Sequence, residues 1–133
     1  MLKKIIKLVM LAVIILNGLL FISNIYVLGD REAAIKMHDD LPRVASAAWA
    51  NTKVIVCFVV GILYLLSAYG IIRTKRNFTL AGILGFIIFD GVYLIQLIMW
   101  AGIHPRIWID FSTFGGVSFL IGMYSLYYWK KGN

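Results

Sequence analysis

The sequence predicts an all-α integral membrane protein, a four-helix bundle, from its composition and from the spacing of its apolar stretches. Of its 133 residues, 62% are hydrophobic and only 14% are charged, whereas a soluble domain is about half apolar and about a quarter charged. The mean hydropathy is +0.89, and a soluble chain of this length could not bury so much apolar surface. These values exclude soluble enzymes, DNA-binding domains, disulfide scaffolds and disordered tails.

Four apolar stretches predict four spanning helices in a single transmembrane domain, residues 1–133. A bilayer core of about 30 Å needs about 20 apolar residues in a helix, and backbone groups in lipid must bond within their own segment. The stretches run over about 5–28, 54–72, 78–101 and 107–129. The first is longer than the apolar core of a signal peptide, about 7–15 residues, so we interpret it as a membrane helix.

The connections predict how the helices are arranged. The links at 73–77 and 102–106 are short, and short links favour antiparallel neighbours in an up-down-up-down bundle. The 29–53 connection is long and is predicted to be an external loop.

Charge predicts the orientation of the bundle. One end carries eight cations and no acid: Lys3, Lys4, Lys7, Arg73, Lys75, Arg76, Lys130 and Lys131. The other end balances Arg31, Lys36, Arg43, Lys53 and Arg106 against Asp30, Glu32, Asp39, Asp40 and Asp110. The positive-inside rule therefore predicts that both termini are cytoplasmic. A bacterial inner membrane is expected, and the cations predict contact with membrane lipids rather than nucleic acid.

Asp90 is the sharpest functional signal, because a charged carboxylate inside a bilayer costs several kcal/mol, about 3 on insertion scales. At about 100° per residue it shares a face with small, polar and aromatic residues, namely Gly82, Gly85, Phe89, Tyr93 and Gln96. Asn17 and Asn24, seven apart on the first helix, are candidate partners. This intramembrane polar set is either a proton, ion or ligand site or a set of structural hydrogen bonds between helices.

The fourth span carries small residues at helical spacing: Gly115, Ser118, Gly122 and Ser125. Small residues allow transmembrane helices to approach closely. The contact is either internal or joins two copies of the chain, and the sequence leaves both open.

Metal and cysteine chemistry have weak support. His38, Asp39, His104 and Asp110 share the acidic end and are weak metal candidates, but their spacing matches no ligand pattern. Cys57 is the only cysteine, which excludes an intrachain disulfide and a two-cysteine redox motif. No cofactor is indicated.

The segment from Gly61 to Arg73 reads GILYLLSAYGIIR and runs directly into the third span. It resembles the second helix of the DoxX-like family of small four-helix bacterial membrane proteins, in which a Gly-rich span ends at Gly-x-x-Arg. The length, the number of spans and the long outer loop are also similar. The resemblance implies a membrane protein that is sometimes a subunit of quinone-linked redox complexes, and it carries no catalytic residues over.

Three functions are open. The first is a non-enzymatic bundle that binds a partner protein, a second copy or a lipid-like ligand, because the sequence contains no nucleophile–base pair, phosphate loop or zinc-peptidase motif. The second is a small proton- or ion-coupled transporter that uses Asp90. The third is a quinone-linked membrane redox subunit. Enzymatic activity is left uncertain, with the balance against it.

Overall fold

The computed structural model describes residues 1–37, 46–100, 102 and 106–131, and these residues are helical apart from short turns. The elements are α1 (Leu2–Ser23), a 3-10 turn (Asn24–Val27), α2 (Arg31–Met37), α3 (Ala47–Arg73), α4 (Arg76–Trp100), α5 (Arg106–Asp110), a π-helical turn (Phe111–Gly115) and α6 (Gly116–Lys131). No strand occurs among the described residues. The predicted all-α class is therefore confirmed.

Four helical stretches are long and apolar enough to cross a membrane: Leu2–Val27, Ala48–Arg73, Arg76–Trp100 and Ile107–Lys131. They confirm that the chain has four helices long and apolar enough to span a bilayer, and they are called the first to fourth spans below. The second span begins before the predicted position 54, because the Ser46 side chain caps α3 by accepting a hydrogen bond from the Trp49 backbone N–H at 3.1 Å. A capping serine satisfies one of the N–H groups that the first turn of a helix leaves without a partner.

The helix α3 lies at the centre of the packing, against α1 on one side and α4 on another, while α4 also packs on α6. The first and second spans cross at a pair of glycines. A Cβ placed on Gly61 would lie 2.7 Å from the Gly18 carbonyl oxygen, so only glycine allows this approach of the two backbones. Tyr64, Phe89 and Ile121 are among the buried core residues that join the spans.

The fourth span is interrupted by the π-helical turn. Ser112 Oγ donates to the Trp108 carbonyl at 2.8 Å, and Thr113 Oγ1 donates to the Ile109 carbonyl at 2.9 Å. Hydroxyls that bond the carbonyl one turn back compete with the backbone N–H and bend helices. Two such residues in succession give a physical reason for the wider turn at this position.

Candidate functional site

Asp90 lies near the middle of α4 and is half-buried. Its Oδ1 atom is buried and has no hydrogen-bond partner among the residues that the structure describes. A buried polar atom left without a partner costs about 1–3 kcal/mol. Such an atom within a membrane span marks a position where a ligand or a proton would be stabilising.

A groove of about 340 Å³ opens beside this carboxyl. It is lined by Phe86 and Asp90 of α4, by Phe111, Ser112 and Gly115 of the π-helical turn, and by Gly116 and Phe119 of α6. Ser112 is exposed, and Phe119 keeps 49% of its surface exposed. The Asp90 groove therefore opens on the outer surface of the bundle, where the surrounding lipid of a membrane would lie.

Two glycines, Gly115 and Gly116, form the floor of the Asp90 groove, since neither has a side chain that would fill it. A Cβ on Gly115 would lie 3.4 Å from Asp90 Oδ1, whereas a Cβ on Gly116 would meet nothing within 4 Å. The π-helical turn ends at Gly115, so it places this glycine against the carboxyl. The aromatic rings and the glycines give the groove apolar walls around a single acidic group.

Tyr93 and Gln96 belong to a different cluster, although the sequence analysis grouped them with Asp90. Lys53 Nζ donates to Gln96 Oε1 at 3.0 Å and lies 3.7 Å from the centroid of the Tyr93 ring. It also lies 5.2 Å from the Phe89 ring centroid. These four residues form the Lys53 cluster, in which a cation is held over the negative faces of two aromatic rings.

The burial of Lys53 was missed from the sequence, which placed this residue in the external loop. The structure places it in α3 with only 1% of its surface exposed. The available signal was Gln96, a polar residue on a predicted interior face, because a buried amide oxygen needs a donor. Lysine can reach such an acceptor from near a helix end because its stem is long and apolar.

Asp110 lies close to the Lys53 cluster along the fourth span. It is 7% exposed, and the ring of the next residue, Phe111, lies 6.0 Å from the Tyr93 ring. A buried lysine and a buried aspartate are thus present in the same part of the bundle. Buried ionisable groups need compensating partners, and for Lys53 these include Gln96 and the two aromatic rings.

The two asparagines of the first span are not gathered around Asp90. Asn17 Nδ2 donates to the Val13 carbonyl of its own helix at 2.8 Å. Asn24 is buried in the 3-10 turn that continues α1. The predicted polar set is thus divided by the structure into the Asp90 groove, the Lys53 cluster and separate positions on α1.

The small residues of the fourth span make contacts within the chain. Ser118 Oγ accepts a hydrogen bond from the Tyr64 hydroxyl at 2.7 Å, and Ser125 Oγ lies 2.8 Å from Ser67 Oγ. A Cβ on Gly82 would collide with both Ser67 and Ser125. We call these five residues the inner seam: Tyr64, Ser67, Gly82, Ser118 and Ser125. Gly122 makes room for Phe86 in the same way, since a Cβ there would lie 2.8 Å from that side chain.

Of the four metal candidates, His38, Asp39 and His104 lie outside the described residues. Among the described ones, no group of three His, Cys, Asp or Glu side chains could hold a metal ion. Cys57, the only cysteine of the sequence, is buried within α3.

The Asp90 groove, the Lys53 cluster and the inner seam are three separate polar features among the described residues of the transmembrane spans. No family model, curated protein or solved structure matches this chain.

Proposed function

We propose that this protein binds a lipid-like ligand within the bilayer, in the Asp90 groove. The observation that carries the proposal is the buried Oδ1 atom of Asp90, which has no hydrogen-bond partner among the described residues and lines a groove that opens outward. A ligand that reaches this atom through the membrane would supply the missing hydrogen bond without first entering water.

The chemistry of the groove indicates the class of ligand. Its walls include the rings of Phe86, Phe111 and Phe119, which suit an apolar chain or ring. An ionised carboxyl group accepts hydrogen bonds, whereas a protonated one also donates. The ligand is therefore an amphiphile with an apolar body and one hydroxyl or amine group that donates to Asp90. The volume is at the lower end of the range for ligand pockets, about 300–1,000 Å³, so the groove holds one segment of such a molecule.

A pair of glycines tests the groove directly. Gly116 lines it and Gly91 does not, yet a Cβ at either position would meet nothing within 4 Å. Both Gly116→Leu and Gly91→Leu should therefore fold, but only the first fills the groove. After mild purification of the full chain, mass spectrometry of the organic extract should show an amphiphile that co-purifies with the wild type and Gly91→Leu and is depleted at least about tenfold in Gly116→Leu.

Equal recovery of every extracted molecule from the two variants would contradict the proposal. A quinone that follows the same pattern would instead support the quinone-linked redox role, with protonated Asp90 as the donor to a quinone carbonyl. A membrane-protein partner lost only from Gly116→Leu would show that another transmembrane helix occupies the groove.

We also infer an up-down-up-down bundle in a bacterial inner membrane, with both termini in the cytoplasm. This inference rests on the positive-inside rule and on the eight cations at the end of the bundle that carries both termini and the 73–77 link. In a Cys57→Ser background, Lys75→Cys should react with a membrane-impermeant thiol reagent only after the cells are lysed. Lys36→Cys should react in intact cells whose outer membrane has been permeabilised. Reaction at position 75 in intact cells would overturn the orientation.

Proton-coupled transport is a second candidate, favoured by the order of polar groups through the bundle. The Lys53–Gln96 pair lies toward one end, Asp90 lies midway, and the hydroxyls of the inner seam follow. Asp90→Asn keeps the shape of the side chain but cannot exchange a proton at neutral pH. If the protein carries protons, this variant should abolish proton flux in proteoliposomes while it leaves the circular dichroism spectrum unchanged. Wild-type vesicles with no flux above empty vesicles would remove this candidate.

A further inference from the structure

A second cavity lies at the opposite end of the bundle from the Lys53 cluster. It has a volume of about 440 Å³ and is lined by Lys7, Gly70, Thr74, Arg76, Thr79, Tyr128 and Lys131. All four spans contribute to this lining, so the cavity lies among the ends of the helices. We call it the basic vestibule.

Among the described residues, the basic vestibule is lined by cations and by no acidic side chain. The segments that surround it, 1–29, 54–89 and 111–133, contain no Asp or Glu. Lys7 Nζ and Lys131 Nζ each lie 5.8 Å from the centroid of the Tyr128 ring, so the two ammonium groups converge on the same side chain. Converging positive charges with no acidic side chain among the described residues beside them create a field that attracts an anion.

Arg76 fixes one wall of the vestibule. Its Nε donates to the Trp129 carbonyl at 2.9 Å, and its guanidinium carbon lies 4.8 Å from the Trp129 ring centroid. These contacts tie the first residue of α4 to the last turn of α6. The guanidinium charge is therefore held in place before any ligand arrives, which lowers the cost of binding.

Two less polar grooves adjoin the vestibule and share its lysines. One, of about 340 Å³, is lined by Lys4, Lys7, Leu8, Leu11 and Ile72 along α1 and α3. The other, of about 280 Å³, is lined by Lys3, Ile6, Tyr124, Tyr127, Tyr128 and Lys131 along α1 and α6. The cationic cavity thus shares lining residues with a more apolar groove on each side of α1.

We propose that the basic vestibule binds the phosphate headgroup of an anionic phospholipid, with its acyl chains in the two adjoining grooves along α1. A free phosphate would use the cations but not the grooves, whereas a lipid uses both. Basic cavities between transmembrane helices at the cytoplasmic side are suited to such headgroups. This site is separate from the Asp90 groove and does not depend on the function proposed for it.

The test is a lipid titration of the purified full chain, followed by native mass spectrometry in detergent. The wild type should bind phosphatidylglycerol at least about tenfold more tightly than phosphatidylcholine. At about 1 kcal/mol for each lysine near an anionic headgroup, Lys131→Gln should weaken phosphatidylglycerol binding about fivefold and Lys7→Gln/Lys131→Gln about thirtyfold.

The matched control is Lys75→Gln/Lys130→Gln. It removes the same charge from the same end of the chain, but both lysines are exposed and line none of the three cavities. Binding should change less than about threefold in this variant. Equal weakening in the two double variants would overturn the proposal in favour of diffuse attraction.

A third arm separates the two sources of phosphate. Millimolar inorganic phosphate should fail to displace phosphatidylglycerol from the wild type, since it cannot occupy the apolar grooves. Full displacement would show a site for free phosphate and would overturn the lipid assignment. Because Lys131 is exposed in the last turn of α6, the single variant remains informative even where the double variant folds poorly.

Discussion

The inner seam and the Asp90 groove both place polar groups inside transmembrane spans, but they treat them in opposite ways. In the inner seam, the Tyr64 hydroxyl meets Ser118, and Ser67 meets Ser125. In the groove, a buried oxygen of Asp90 meets no donor among the described residues. The inner seam contains Gly82, where an added side chain would collide with Ser67 and Ser125. The groove contains Gly116, where an added Cβ would meet nothing within 4 Å.

The difference teaches that polarity alone does not identify function in a membrane helix. Hydroxyls that satisfy one another contribute to packing between helices. A carboxyl that faces a groove without a partner reduces stability, and such a cost is retained where the group serves another purpose. The inner seam is therefore a set of packing contacts between spans, and the Asp90 groove is the region for which we propose binding.

The largest expected effect comes from adding the same side chain in the two regions. Gly82→Leu should destabilise the protein by about 3 kcal/mol, because the new side chain would displace Ser67 and Ser125 from a packed contact between three spans. Gly116→Leu should change stability by less than about 1 kcal/mol, because it enters open space. Unfolding in a denaturing detergent, followed by circular dichroism, measures both. Similar losses in the two variants would remove the distinction between seam and groove.

A smaller effect of opposite sign is expected at the carboxyl. Asp90→Leu should raise the free energy of unfolding by about 1–2 kcal/mol, since it removes a buried oxygen that lacks a hydrogen-bond partner. The same variant should lose the ligand of the groove. If Asp90→Leu destabilises the ligand-free protein instead, the carboxyl is a structural group and the groove loses its main support.

The smallest expected effect tests the seam one bond at a time. Tyr64→Phe should cost about 0.6 kcal/mol, the average value for a hydrogen bond between transmembrane helices. Tyr69→Phe is the matched control, because the Tyr69 ring packs against Phe78 and is 47% exposed. Its stability should stay within about 0.3 kcal/mol of the wild type. A larger change in Tyr69→Phe than in Tyr64→Phe would contradict the role of the seam.

The four spans could be predicted from the sequence because the length of an apolar stretch depends on bilayer thickness and on little else. Asp90 could also be singled out, since a carboxylate in a span is rare. Its neighbours could not be predicted by helical periodicity, because that argument places Asp90 on the same interior face as Tyr93 and Gln96. Asp90 lies at the edge of this face, next to a span whose regular winding changes at Phe111–Gly115.

The burial of Lys53 was missed for a different reason, since its one signal, Gln96, indicates that a donor is needed but not which residue supplies it. Its partner Gln96 lies on another helix, and hydropathy assigns a lysine near the end of a span to water. Nothing in the local sequence around Lys53 reports the two aromatic rings that surround its ammonium group. Contacts between distant helices depend on packing, which a single sequence does not display.

The π-helical turn has a consequence for how the fourth span tolerates change in length. It holds one residue more than an α-helical turn would, and its wider winding absorbs that residue. Deletion of Thr113 would therefore let the span wind regularly while the residues before it, Asp110 among them, kept nearly the same orientation relative to α6. The loss of one codon at this point would reshape the wall of the Asp90 groove and leave the buried surroundings of Asp110 in place, and the span would remain long enough to cross a bilayer.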